Sequence, residues 1–377
     1  MSRILILIHG NPQDYPPTLN AINELSPLFT DVDIVYKPYG NVDWIYPENV
    51  TLIKAGNTIN VLEFEKSSFV NKVKSYSTFT KLVLKSISKK NYDWVLAYDH
   101  LPMLSLLLTR ILQPFKSKKL KIWYHNHDVA ALADIRQYSI SWLAKKAEIK
   151  LLKKDINLFS TPSAERLKYF VTNAKTTLLP NYPSLYFYTK YLKTKKLQKP
   201  IKLLYQGAIS EGHGLRNVAD SISSNKEMEL HLAGPDRSSL VQSLINIESE
   251  NNIYYHGMLS YSKLPILTQS CHIGLAINEP KGIIYQTGGT ASNKIYEYAA
   301  CGLPILYFDN VHYNEHLAKY EWAFATDLSS QSINRCINEI MNNYTYLSIK
   351  AQENFQQIFN YEKAFEPIKR HLIETIE

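Results

Sequence analysis

The stretch ASNKIYEYAACGLPIL, from Ala291 to Leu306, combines a polar helix start, a carboxylate inside the helix and a Gly-Leu-Pro stop. Gly288, Gly289, Thr290 and Ser292 precede or open the first helical turn and leave its backbone N–H groups free for an anion such as a phosphate. Glu297 follows about one turn deeper, where a carboxylate can accept two hydrogen bonds from vicinal hydroxyls such as those of a ribose. Cys301-Gly302 ends the helix, and Leu303 to Phe308 begins a buried strand. Diphosphate at the helix tip and ribose on its flank describe a nucleotide site. The competing reading is an ordinary βα unit with a solvated Glu297.

Four other segments could carry chemistry. The strand ending in HNHDV places His125, His127 and Asp128 at the carboxyl end of a parallel strand, the edge where α/β folds bind ligands. His125 and His127 share a strand face and could be a metal pair, but no third and fourth ligands with credible spacing follow; two hydrogen-bonded structural histidines are the simpler alternative. The run LLYQGAISEGHGLRNVADSI, residues 203–222, reads as strand, glycine turn and helix, with Gly207, Gly212 and Gly214 allowing close backbone approach to a ligand. HLAGPDR, residues 231–237, and YYHGML around Gly257 end strands in glycine turns, which are also common as plain turns.

The run 291–306 resembles the donor-binding helix of family 4 retaining glycosyltransferases of the GT-B fold, the group 1 glycosyltransferases, in the branch reading NK-(I/L)-(Y/F)-E-Y-(M/A)-A-(A/C)-G-(L/K)-P. The resemblance implies that Glu297 holds the ribose of a nucleotide-sugar donor. Many members carry a second glutamate eight residues earlier for the donor sugar; Gly289 stands there, and Thr290, Ser292 and Asn293 are the candidates to replace it. Residues 207–214 resemble the family element G-R-x-x-x-x-K-G, with Ala208 and His213 at the basic positions. His213 is therefore the implied substitute cation, with Lys294 and Arg216 the nearest others. Gly207, Gly234 and Gly288 complete the implied donor-binding set. His127-Asp128 matches the family's H-(D/E) stretch, which implies a catalytic place for His127 beside the donor sugar, with His125 in reserve on the acceptor side. His9-Gly10-Asn11-Pro12 falls where the family usually has a glycine pair; Gly10 matches, putting Gly10 and Asn11 on the acceptor side.

These residues need a scaffold, and 377 residues with 45% apolar and 12% aromatic content can fill two cores. Cys271, Cys301 and Cys336 lie far apart in apolar contexts and read as reduced thiols of a cytosolic protein. The opening MSRILILIHG reaches polar residues too soon for a secretory signal and reads as a first strand, and no stretch approaches the roughly 20 apolar residues of a membrane span. The net charge of +8 concentrates in 109–121, 144–154 and 190–199, where apolar residues interleave the lysines. That pattern suggests docking on an anionic membrane, against a merely solvated lysine-rich surface; nucleic acid is disfavoured because no recognised binding motif accompanies the charge.

Strand-like runs alternate with helical patterns. Ile4–Ile8, Asp33–Tyr36, Trp94–Tyr98, Ile122–His125, Ile156–Ser160 and Thr176–Leu179 predict one parallel sheet. Ile201–Tyr205, Met228–Ala233, Ile253–His256, His272–Ile277, Pro304–Phe308 and Ala323–Ala325 predict a second. The expected fold is α/β of the GT-B type, two Rossmann-like domains facing a cleft. The expected divisions are an acceptor-side domain at 1–185, a lysine-rich linker at 186–200, a nucleotide-sugar domain at 201–359 and a helix at 360–377 returning to the first domain, with Pro367 kinking or dividing it.

The resulting expectation is a hexosyl transfer, with retention, from a UDP- or GDP-sugar to a lipid-linked glycan or surface-polysaccharide intermediate. Catalysis falls to His127 and Glu297, the leaving diphosphate helps to deprotonate the acceptor, and neither metal nor cofactor is required. The expected location is cytoplasmic, at the inner face of the plasma membrane. A catalytically silent, sugar-nucleotide-binding or scaffold protein of the same fold is the alternative. A nicotinamide oxidoreductase ranks low because no GxGxxG follows the first strand with an acidic residue about 20 positions on.

Overall fold

Thirteen segments form strands in a computed structural model, which describes residues 2–40, 44–236, 238–247, 252–279 and 281–376. Arg237, in one of the strand-end runs above, lies outside the described residues. The chain divides into two compact units, Met1–Pro180 with Ala364–Glu377, and Asn181–Lys363.

In the first unit the strands are β1 (Arg3–Ile8), β2 (Asp31–Tyr36), β3 (Val50–Lys54), β4 (Trp94–Tyr98), β5 (Lys121–His125), β6 (Leu158–Thr161) and β7 (Lys175–Leu178). They lie in the order β3-β2-β1-β4-β5-β6-β7, all pairings parallel. β1 and β4 are buried nearly throughout because helices cover both faces of a parallel sheet. The longest of those helices, Phe69–Lys89, starts where the Ser68 side chain accepts from Asn71 N at 3.3 Å and lays Tyr76, Phe79 and Val83 on the sheet.

β3 was not expected. It is an edge strand of half-exposed residues, so it lacks the apolar run that marks inner strands such as β1 and β4.

The last helix, Tyr361–Ile376, runs through Pro367 and is not divided there, where a kink or a division was expected. Proline removes one intrahelical bond, but the buried side chains of Phe365, Ile368 and Leu372 hold the helix on both sides of it. Within the first unit Phe365 meets the Trp123 ring at 6.0 Å, and the Lys121 amine donates to the carbonyl of Thr375.

The second unit holds β8 (Ile201–Gln206), β9 (Met228–Ala233), β10 (Ile253–Tyr255), β11 (Ile273–Ala276), β12 (Ile305–Phe308) and β13 (Ala323–Thr326), in the parallel order β10-β9-β8-β11-β12-β13. The lysine-rich stretch 186–200 is not a free linker. Tyr188 and Tyr191 are buried in this unit's core, and the Lys195 amine donates to the carbonyl of Cys271. Alternation with aromatic residues turns that basic run into a packed edge. The unit also begins before residue 186, because Asn181 donates through its backbone N and Nδ2 to the carbonyls of Thr290 and Ala291, at 3.0 and 2.8 Å. All three cysteines are free and buried.

In each sheet the strand order reverses once, between β1 and β4 and between β8 and β11. The carboxyl ends of strands beside such a reversal are where open α/β sheets bind ligands.

Candidate functional site

In the second unit the expected donor helix is Asn293–Ala300. Its N-cap, Ser292, makes no side-chain cap bond, so the first-turn amides have neither an intrahelical acceptor nor this side chain. The loop before it is tied down through its carbonyls. Gly288 O accepts from Ala291 N, Gly289 O from the Tyr296 hydroxyl, and Thr290 O and Ala291 O from Asn181. Asn181 is thus a positioning residue that local sequence did not reveal. Asn293 adds a buried Oδ1 with no hydrogen-bond partner among the described residues, an acceptor left open beside the helix start.

Glu297 lies one turn in and is only 4% exposed. Its Oε2 accepts from Gln206 Nε2, at the end of β8, and Gln206 is itself fixed by Thr268 Oγ1 (3.0 Å) and by donating its N–H to the Tyr298 hydroxyl (2.9 Å). Burial pushes the Glu297 carboxyl up to about 7, against the opposing pull of Gln206 and Lys294. Lys294 projects over the Tyr205 ring at 4.1 Å and donates to Asn278 Oδ1 at 3.2 Å, just past the end of β11. Burial lowers its amine to about 7, while Glu297 draws it up.

The glycines here have packing roles. A Cβ on Gly234 (φ +140°) would sit 1.9 Å from the Gly207 carbonyl oxygen, so Gly207 and Gly234 let two strand ends meet backbone to backbone. A Cβ on Gly289 would lie 2.3 Å from the His316 ring. That ring occupies the space a larger residue at 289 would need.

His213 does not supply the expected cation. It is buried, its Nδ1 pairs with the Tyr205 hydroxyl (2.7 Å) and its Nε2 with Ser210 Oγ (3.1 Å), and burial followed by the Lys294 charge pushes its pKa down to about 4. A neutral imidazole results. Arg216 is turned to Glu211, in a forked pair at 3.0 and 2.9 Å. Of these cations, Lys294 is the one brought beside Glu297.

In the first unit His127 follows β5. Its ring lies between those of Tyr98 (4.6 Å, 2° between planes) and Tyr15 (5.3 Å, 14°). Asp99, after β4, accepts from His127 N at 2.7 Å and Asp128 N at 3.2 Å, and its second oxygen faces His127 Nδ1 at 3.4 Å. These bonds outweigh burial and hold the Asp99 carboxyl below its ordinary range. Asp99 has φ +59° and ψ −179°, a strained backbone for an aspartate, held where strain often marks a working site. Thr18 Oγ1 faces His127 Nε2 at 3.4 Å. Sequence reading missed Asp99, Tyr98 and Thr18, since each meets His127 across 28 or more residues of chain.

The acceptor-side expectations fare differently. His125 is 1% exposed, its Nδ1 pairs with Ser160 Oγ at 2.7 Å, and burial drives its pKa well below normal; it is a core histidine. Asn11 is also buried and spends its side chain on Asp14 and on both backbone groups of Tyr39, so it pins a loop. Gly10 leaves room for the Tyr15 ring, 3.2 Å from where a Cβ would stand, and Tyr15 carries that fit to His127.

Residues 214–346 match a family model described as Glycosyl transferase-like. No curated protein matches the chain by sequence. Among solved structures, a sucrose-phosphate synthase from Thermosynechococcus elongatus is similar with a TM-score of 0.72 at 15% identity, over 100% of this chain and 99% of the other. Anabaena HepE in complex with UDP is similar at 0.65 and 14%, over 99% of each. A UDP-GlcNAc 2-epimerase from Methanocaldococcus jannaschii follows at 0.59 and 12%, over 98% and 99%. At such identities the likeness shows the fold: two parallel sheets with covering helices, the α/β architecture of GT-B glycosyltransferases, with a glycosyl transferase-like sequence pattern across most of the second unit.

Proposed function

We propose that the protein is a glycosyltransferase moving a sugar from a nucleotide-diphosphate donor, a UDP- or GDP-sugar, to an acceptor hydroxyl. The observation that carries this reading is the segment 288–297: a loop held by its carbonyls, an uncapped first turn, the open Asn293 Oδ1, Lys294 and Glu297. The family match over 214–346 and the UDP of the HepE complex point the same way.

In this reading the first-turn amides and Lys294 take up charge on the diphosphate, Glu297 accepts from the ribose hydroxyls, and His127 lines the sugar. Following the family resemblance, transfer is a hexosyl transfer with retention. The bond from C1 to the diphosphate oxygen breaks, the acceptor oxygen bonds C1 from the same face, and the acceptor proton passes to the departing phosphate. No metal enters this scheme, and turnover is expected to survive EDTA.

The acceptor class is a lipid-linked glycan or surface-polysaccharide intermediate, and we place the protein at an anionic membrane. Support for that placement comes from the exposed Ile111, Leu112 and Phe115, set among Lys116, Lys118 and Lys119 on a turn that the Arg110 side chain holds through the Ser117 carbonyl. Within the described residues no helix is long and apolar enough to cross a membrane. Co-sedimentation with anionic but not neutral vesicles, lost on Phe115→Ser, is the expected result.

Thermal stabilisation by UDP, GDP, ADP, dTDP, CMP and NAD tests the donor site. A ligand at 100 times its dissociation constant adds about 2.7 kcal/mol. One nucleoside diphosphate should stabilise the wild type and fail to stabilise Glu297→Ala. Stabilisation by NAD alone would overturn the reading. Stabilisation without turnover would leave the silent sugar-nucleotide-binding or scaffold protein, and donor consumption without acceptor would favour chemistry like that of the epimerase.

A further inference from the structure

Lys37 directly follows β2 and is 2% exposed, yet among the described residues neither an ion pair nor a hydrogen bond engages its amine. His9 directly follows β1, on the neighbouring strand, and its Nε2 is sealed from solvent with no partner among the described residues. The two are held together by backbone, since Lys37 N donates to the Ile8 carbonyl at 3.3 Å. Their surroundings add positive charge. Lys54, paired with Tyr36 across β2 and β3, opposes the Lys37 charge, while Lys37 and His100 oppose protonation of His9. Among the described residues no carboxylate figures in the charges acting on either group.

Burying a cation without a counter-charge is costly, and proteins retain such groups where a ligand completes them. The neighbourhood is otherwise aromatic. Phe64 lies 5.8 Å from the Lys37 amine and 6.5 Å from the His9 ring, and Phe79 approaches His9 to 5.3 Å. Gly56, with φ +85°, leaves its Cβ position 3.8 Å from the Lys37 amine. Basic groups at the carboxyl ends of two parallel strands, walled by rings, suit an oxyanion attached to a carbon framework such as a sugar.

We propose that His9 and Lys37 form a subsite for an oxyanion, phosphate or carboxylate, carried by the acceptor. The word acceptor rests on the glycosyltransferase reading; the anion site does not. On binding, Lys37 supplies the counter-charge and His9 Nε2 gains a partner, protonating to donate or accepting from a protonated anion.

The test is NMR of the full chain with labelled histidine, titrated with inorganic phosphate, glucose 6-phosphate, glucuronate and glucose, alongside UDP-induced thermal shift. The His9 resonance is expected to move saturably with at least one anion and not with glucose, and the tighter of glucose 6-phosphate and glucuronate names the group. Lys37→Met should weaken that anion at least tenfold while leaving the UDP shift intact, and Lys37→Arg should keep most of the affinity. Equal affinity in Lys37→Met, or absence of saturation by every anion, overturns the proposal. Because UDP is read separately, anion binding without a UDP response removes the transferase reading and keeps the subsite; a UDP response without anion binding does the reverse.

Discussion

Lys294 and Glu297 stand one turn apart on one helix, and burial drives the amine down and the carboxyl up until both titrate at about 7. Nucleotide binding acts on both. A diphosphate favours the charged amine, and hydroxyls donating to the carboxylate favour its ionised form.

For Glu297 the pKa is raised on folding, so the stability it contributes is present below about 4.5 and is lost as pH rises through about 7. Glu297→Gln should gain on the wild type across that window by up to about 3 kcal/mol. Melting curves from pH 4.5 to 8 check this; parallel pH profiles for the two proteins would sink it.

Lys294→Met removes the amine beside the helix start. UDP affinity is expected to fall about tenfold, about 1.4 kcal/mol, with little loss of melting temperature because a desolvated amine is replaced by an apolar chain of similar length. Calorimetric titration with UDP reads the first and a thermal melt the second; unchanged affinity would take Lys294 out of the donor site.

Asp99 orients His127 through the backbone and Nδ1. Asp99→Asn should lower kcat by about 10-fold to 100-fold and alter its pH dependence, while donor affinity stays the same. Asparagine has the same shape as aspartate and adds nothing to the strain already held at φ +59° and ψ −179°, so the fold survives. A fall in donor affinity alone would contradict the orienting role.

Gly234→Ala forces a methyl into the Gly207 carbonyl and should cost about 3 kcal/mol or more in urea unfolding. Gly257→Ala is the control. It shares a positive φ, +67°, but meets nothing within 4 Å, so about 1–2 kcal/mol is expected. Equal costs would show that backbone conformation, not the strand contact, sets the glycine requirement.

Gly289→Glu meets the His316 ring and should destabilise alone, while Gly289→Glu with His316→Gly should recover at least 1 kcal/mol of the loss. A double-mutant cycle in denaturant measures the coupling, and strict additivity would rule out the steric account.

Much of the architecture was legible along the chain. Apolar runs such as ILILI at 4–8 and Gly-Leu-Pro at 302–304 announce buried strands and a helix stop through local rules of periodicity and backbone freedom. The helix 293–300 and its carboxylate were readable for the same reason. β3 escaped because an edge strand buries too little to require an apolar pattern. What the sequence by itself determined was thus the order of βα units and which polar residues stand at strand ends.

Tertiary structure alone decided what those residues are. Charge state depends on burial and on partners distant in sequence: burial and Lys294 leave His213 neutral, Gln206 reaches Glu297 across 91 positions, and Asp99 reaches His127 across 28. Ser160 draws His125 into the core, and Tyr39 occupies Asn11. Desolvation and hydrogen bonding are properties of a place in space, and one-dimensional spacing carries no record of which side chains will share it.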